Sequence, residues 1–181
     1  MNFRMSKQQI LLAVLSAGGA FVVANYEMFL PTHWQMYSPQ DSSYTIAFPA
    51  RATAEQLTVP GADGPVTVDL VSADPSKSED YSCMFFVRPK GDDRTLDTLL
   101  TDSRDGSMAK IQGVIGAQKR FTLDGNQVLE TTGKARGDSQ FVQRIIAVGN
   151  RVYMLMAVST DGPPNQKTLQ HWINSFRVLK K

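Results

Sequence analysis

Nucleophilic, general-base and soft-metal chemistry would have to come from few side chains here: one cysteine, Cys83, and two histidines, His33 and His171. A covalent hydrolase needs a nucleophile, a base and a group that orients the base. Cys83 sits inside the apolar run Ser82-Cys-Met-Phe-Phe-Val87. There a thiol fills space, and burial disfavours the reactive thiolate. His171 precedes Trp172 and is expected on the solvent side of the last helix; His33 follows an apolar leader. One cysteine and two distant histidines build no zinc cluster, and a single thiol forms no intrachain disulfide. The nucleophile elbow G-x-S-x-G is absent, since Gly137-Asp-Ser139-Gln-Phe lacks the second glycine. The sequence therefore assigns no catalytic, cofactor-binding or metal-binding residue, and calls for no cofactor.

The carboxylates give the same answer. Glu79-Asp80 and Asp92-Asp93 are adjacent pairs, and neighbours on a strand or helix point apart. Neither pair shares a proton by spacing alone, and turn or helix-cap roles suffice. Asp102-Ser-Arg-Asp105-Gly lacks calcium-loop spacing and its closing glutamate. The glycines are scattered singly through turns, so no phosphate cradle forms. Arg136-Gly137-Asp138 matches an adhesion tripeptide, but a tight turn between charged strands has the same composition. Setting aside Arg4 and Lys7 of the leader, the 181-residue chain carries 17 cations against 17 anions. Such a balance gives no footprint for nucleic acid.

These side chains are positioned by a body of alternating strands. Trp34-Gln-Met-Tyr37, a turn, and Tyr44-Thr-Ile-Ala-Phe48 open it. A weaker strand over 54–59, the turn Gly61-Ala-Asp-Gly64 and alternation at Val66, Val68 and Leu70 read as a hairpin. Residues 82–87 form a strand covered on both faces. Asp92 and Asp93 are expected to cap a helix over 94–111. Leu96, Leu99, Leu100 and Ile111 recur on it at helical spacing, and Gly106 weakens it. Gly-containing turns at 124–126, 137–138 and 149–150 then divide a four-strand antiparallel meander, residues 117–159. On its last strand Val152, Met154 and Met156 face one way, and Tyr153, Leu155 and Ala157 the other. Two apolar faces call for helices on each side of the sheet. A final helix over 166–176 carries Leu169, Trp172, Ile173 and Phe176.

Ahead of this body, Arg4 and Lys7 precede an uncharged run over residues 10–24. Ile10, Leu11, Leu12, Ala13, Val14, Leu15, Phe21, Val22 and Val23 are its membrane-seeking residues. A positive flank before such a run fits a secretory signal, with Val22 and Ala24 at the small positions before a cleavage at Asn25. It equally fits a signal-anchor extended by Tyr26, Met28, Phe29 and Leu30 to about 20 residues, enough to span a bilayer. A buried core helix is the third reading, disfavoured by the lack of a polar face. The expected domains are thus a signal or transmembrane helix over 1–30 and one globular domain over 34–181. The location is the inner membrane with the C-terminal domain outside the cytoplasm, or periplasmic or secreted if the leader is cleaved. The partners are the lipid bilayer, through the leader, and a protein without a sequence signature.

Trp34-Gln-Met-Tyr37, Ser43-Tyr-Thr-Ile-Ala-Phe-Pro49 and the closing Trp172, Ser175-Phe176 and Val178 resemble the PsbP-like family. That fold is shared with the Mog family of Ran-binding proteins. The likeness covers residues 34–180. It implies an α+β domain, an antiparallel sheet flanked by helices as an α/β/α sandwich, preceded here by the N-terminal hydrophobic helix. Its members are mostly binding or accessory proteins, so the expected function is a non-enzymatic binding domain of a bacterial membrane or periplasm. The alternatives are a small-ligand carrier, or an exported hydrolase whose carboxylates are brought together by the fold. The chain departs from lipid-anchored cyanobacterial members by lacking the lipid-bearing cysteine, and nothing carries over photosystem binding residue by residue.

Overall fold

A computed structural model describes residues 34–61 and 64–179, within the second of the chain's two units, Trp34–Lys181. The leader of residues 10–24 and His33 lie outside the described residues. Ten strands form two antiparallel sheets. The small one joins β1 (Gln35–Tyr37), β2 (Tyr44–Phe48) and β10 (Arg177–Val178) in the order β1-β2-β10. The large one contains β3 (Thr53–Gly61), β4 (Gly64–Ala73), β5 (Glu79–Val87), β6 (Val114–Leu123), β7 (Asn126–Lys134), β8 (Gln140–Val148) and β9 (Arg151–Ser159). Its order is β3-β4-β5-β9-β8-β7-β6. The meander therefore returns to pair β9 with β5, from Glu79 opposite Ser159 to Val87 opposite Arg151.

The local chemistry explains the turns and caps. Between β6 and β7 only Asp124 and Gly125 intervene, both at positive φ. Their backbone twist matches that of the flanking strands, and glycine tolerates this region at no steric cost. Helix α1 (Leu96–Ile111) is capped by Thr95, whose hydroxyl accepts the Thr98 N–H at 3.2 Å. The cap expected from Asp92 and Asp93 does not form, because Asp92 turns inward to two arginines. Helix α2 (Gln166–Ser175) is capped by Asn165, which accepts the Thr168 N–H at 3.1 Å. The Ala47 N–H donates to Ser175 Oγ at 2.9 Å and ties α2 to β2.

Two cores share the large sheet. On one face Tyr44, Ile46 and Phe48 of β2 pack with Tyr81, Cys83, Tyr153 and Leu155, joined by Leu169 and Trp172 of α2. On the other, Leu99, Leu100 and Met108 of α1 pack with Leu129, Phe141, Ile145, Met154 and Met156. The two faces of β9 separate as its alternation predicts.

The expected α/β/α sandwich is overturned. The described residues form a β-rich fold of ten strands and two α-helices, not a sheet held between helical layers. An apolar sheet face can be buried by a second sheet as readily as by helices. Here β2 and the ten-residue α2 share that cover, Tyr44 and Phe48 coming from the strand and Leu169 and Trp172 from the helix.

Candidate binding cleft

A cleft of about 320 Å³ opens along one end of the β4–β5 pair. Pro65, Thr67 and Asp69 line it from β4, and Phe85, Val87 and Pro89 from β5 and the segment after it. Alternation puts Asp69 and Phe85 on one face, directly opposite each other across the ladder. The Phe85 ring is fixed from behind: Tyr153 stacks on it at 5.2 Å and 21°, and Tyr44 lies 6.2 Å away. The Arg151 guanidinium stands 5.9 Å from the Phe85 ring centre and 3.9 Å from Asp41. The Asp69 carboxylate accepts one hydrogen bond, from Gln56 Nε2 at 2.9 Å, and no cation of the described residues pairs with it. Burial pushes the nearby Tyr37 phenol up from its ordinary pKa, and the negative field of Asp69, with Cys83 and Asp41, adds to the shift. The cleft thus offers apolar walls, a single acid with no cation of the described residues paired to it, and Arg151 at its Phe85 edge.

A second cleft of about 270 Å³ lies between α1 and the β6–β7 hairpin. Arg120 spans it, 2.8 Å from Asp97 and 2.9 Å from Thr101 Oγ1. Its charge is satisfied within the fold.

The strongly perturbed groups, the Asp74–Asp80 pair apart, are engaged in ion pairs or buried in the core. The Asp92 side chain has no exposed surface; it accepts Arg94 Nη2 at 2.7 Å, Nε at 2.9 Å and the Arg94 N–H at 3.1 Å, with Arg88 on its other side. The Arg94 hydrogen bonds hold its carboxyl well below the usual range against the opposing effect of burial, aided by Arg88. Burial by itself would raise Glu130, but Lys119 at 2.8 Å and the Arg144 guanidinium hold it below its ordinary value. Both cations also stand near the Phe121 ring, at 5.6 and 5.3 Å from its centre. Cys83 is free, fully buried and pushed up to about 12 by burial.

Glu79 and Asp80 point apart, as adjacent strand residues must. Glu79 accepts the Asn165 N–H at 2.6 Å. Asp80 turns to the other face and meets Asp74 instead; burial first, and then the hydrogen bond and charge of Asp74, raise it to about 6. This pair escapes a search for adjacent acids. The β4–β5 register reveals it, since pairing Ala73 with Tyr81 sets positions 74 and 80 opposite. Asp102 and Asp105 lie within α1 and pair with Arg94 and Arg104. His171 is exposed, its ring 4.1 Å from that of Trp34. Arg136–Asp138 form an exposed turn between β7 and β8. Gly137 there has φ 73°, so a left-handed turn accounts for the tripeptide. Among the described residues no cluster of three or more His, Cys, Asp or Glu is placed to hold a metal, and no helix is long and apolar enough to cross a membrane. Asp69, the acid of the Phe85 cleft, has no sequence signal beyond standing at an intervening position of the Val66, Val68 and Leu70 alternation.

No family model and no curated protein matches the sequence. Among solved structures, the chain is similar to the solution structure of cyanobacterial PsbP from Synechocystis sp. PCC 6803. The two are 15% identical, with 82% of this chain and 94% of that one covered at a TM-score of 0.58. A protein of unknown function from Pseudomonas aeruginosa is 12% identical over 77% of this chain and 88% of that one, at a TM-score of 0.36. The β-rich domain described here has a PsbP-like fold.

Proposed function

We propose that this chain is a non-enzymatic binding or accessory protein, exported or anchored at a bacterial inner membrane by its apolar leader. The observation that carries the reading is the PsbP-like fold, matched along 82% of the chain. The ionisable groups support it. Asp92, Glu130 and Cys83 are consumed by ion pairs or burial, and the main cleft combines apolar walls with one acid. Such a lining favours holding over bond-making, because no base or nucleophile converges on the acid. Crosslinking in intact cells, followed by mass spectrometry of the full-length protein, tests the proposal. The expected result is a recurrent protein neighbour, with the protein in the membrane or exported fraction. Turnover of ester, phosphate, glycan or peptide substrates by the full-length protein would overturn it. A second reading, a carrier for a small apolar ligand, is favoured by the ring and proline walls of the Phe85 cleft. Native mass spectrometry with a co-purified small molecule and no crosslinked neighbour would favour the carrier.

A further inference from the structure

We propose that the Phe85 cleft receives a cationic side chain, lysine or arginine, from a segment of the partner protein. The inference rests on the binding-domain reading and names the chemistry of its partner. Three features of the cleft converge on a cation.

The first is shape. The walls include Pro65, Val87, Pro89 and the Phe85 ring. A volume of about 320 Å³ takes one long side chain, and the methylene stem of lysine or arginine packs well along apolar walls while its head stays polar.

The second is charge. Asp69 lines the cleft with one amide donor and no cation of the described residues paired to it. Asp92 and Glu130, by contrast, each have two cationic partners, whereas Asp80 meets another acid. A carboxylate with no internal cation gains a charge-assisted hydrogen bond from one that arrives with the ligand.

The third is rigidity and direction. The stacked Tyr153 fixes Phe85, so the ring side of the site is formed before binding, and Gln56 donates to the Asp69 carboxylate in an exposed contact. Arg151 bounds the site at the Phe85 ring, where it also faces Asp41. It repels an incoming cation from that side and leaves Asp69 as the place for its head. An anionic ligand would have to bring its charge against Asp69.

The test titrates full-length protein with N-acetyl-argininamide, using N-acetyl-norleucinamide as the neutral control, and reads backbone amide shifts. Expected are saturating shifts centred on Thr67, Asp69, Phe85 and Val87. Affinity should lie on the millimolar scale, and the neutral control should bind roughly tenfold more weakly. Asp69→Asn should weaken arginine binding by a similar factor while leaving the melting temperature unchanged. Added salt should weaken binding to the unaltered protein, which tests the charge without relying on the variant. Equal binding of the norleucine probe, shifts that avoid the cleft, or salt-independent affinity would overturn the assignment. If crosslinking still finds a protein neighbour, the cleft assignment alone has failed, and the binding-domain reading stands.

Discussion

Asp92 loses its solvent but keeps its charge, because Arg88 and Arg94 replace water around both oxygens. The bonds also order the segment that leads from β5 into α1, since Arg88 Nη2 donates to the backbone carbonyls of Asp92 and Arg94 at 2.9 and 2.7 Å. Asp92→Asn removes the charge at nearly constant shape and should lower stability by about 1–2 kcal/mol, measured by urea denaturation. Its native pKa is depressed, so its contribution is present above the ordinary carboxylate range and is lost as pH falls through and below it. The variant should therefore show a flatter acid limb. Asp80 has the opposite sign. Its native pKa of about 6 exceeds the ordinary value, so the fold favours its protonated form. That contribution is complete below about pH 4 and fades as pH rises through about 6. Asp80→Asn should raise stability at pH 7 by about 1 kcal/mol, allowing for screening at a partly exposed pair. It should also remove the part of the stability slope between about pH 4 and 6 that comes from this pair. An unchanged slope would show that Asp74 and Asp80 do not share a proton.

At the scale of elements, α1 is the least well provided. Leu99, Leu100 and Met108 are its buried residues. Gly106 is exposed in its C-terminal half, where an added methyl group would meet nothing within 4 Å. Gly106→Ala should stabilise by about 0.5–1 kcal/mol, because glycine loses more backbone freedom than alanine on entering a helix. Thermal melting followed by circular dichroism should show a higher midpoint; a lower one would mean that the helix needs glycine there. The strands were the most legible elements. Alternation at Tyr44–Phe48 and 152–158, and the turn chemistry of Asp124-Gly125 and Gly149, are local properties and appear in the chain order itself. The α1 start was misread for an equally local reason. Asp92, Asp93 and Thr95 are all good caps, and only the three-dimensional position of Arg88 and Arg94 decides that Asp92 is taken.

At the scale of the whole molecule, the two cores lie back to back on the same strands, so neither persists without the sheet. Leu100→Ala, on the α1 side, should cost about 2–4 kcal/mol. It should shift the Trp172 environment on the opposite face together with the backbone signal, as one transition. Separate midpoints for tryptophan fluorescence and far-ultraviolet circular dichroism would refute that coupling.

The sequence by itself determined the order of both helices and of the strands other than β10, though β5 and β6 each start three residues before the expected position, and it determined which residues of β9 face each core and that Cys83 is a core residue. These follow from residue type and periodicity over a few neighbours. Tertiary structure alone decided what covers each face of the large sheet. It replaced the expected helical layer with β2 and the short α2 together, because burial selects apolar surface and is indifferent to the element that brings it. It likewise placed Asp74 against Asp80, and set Asp69 opposite Phe85 with no cation of the described residues paired to it. Those meetings depend on strand register and on side chains many residues apart, and no short stretch of sequence contains them.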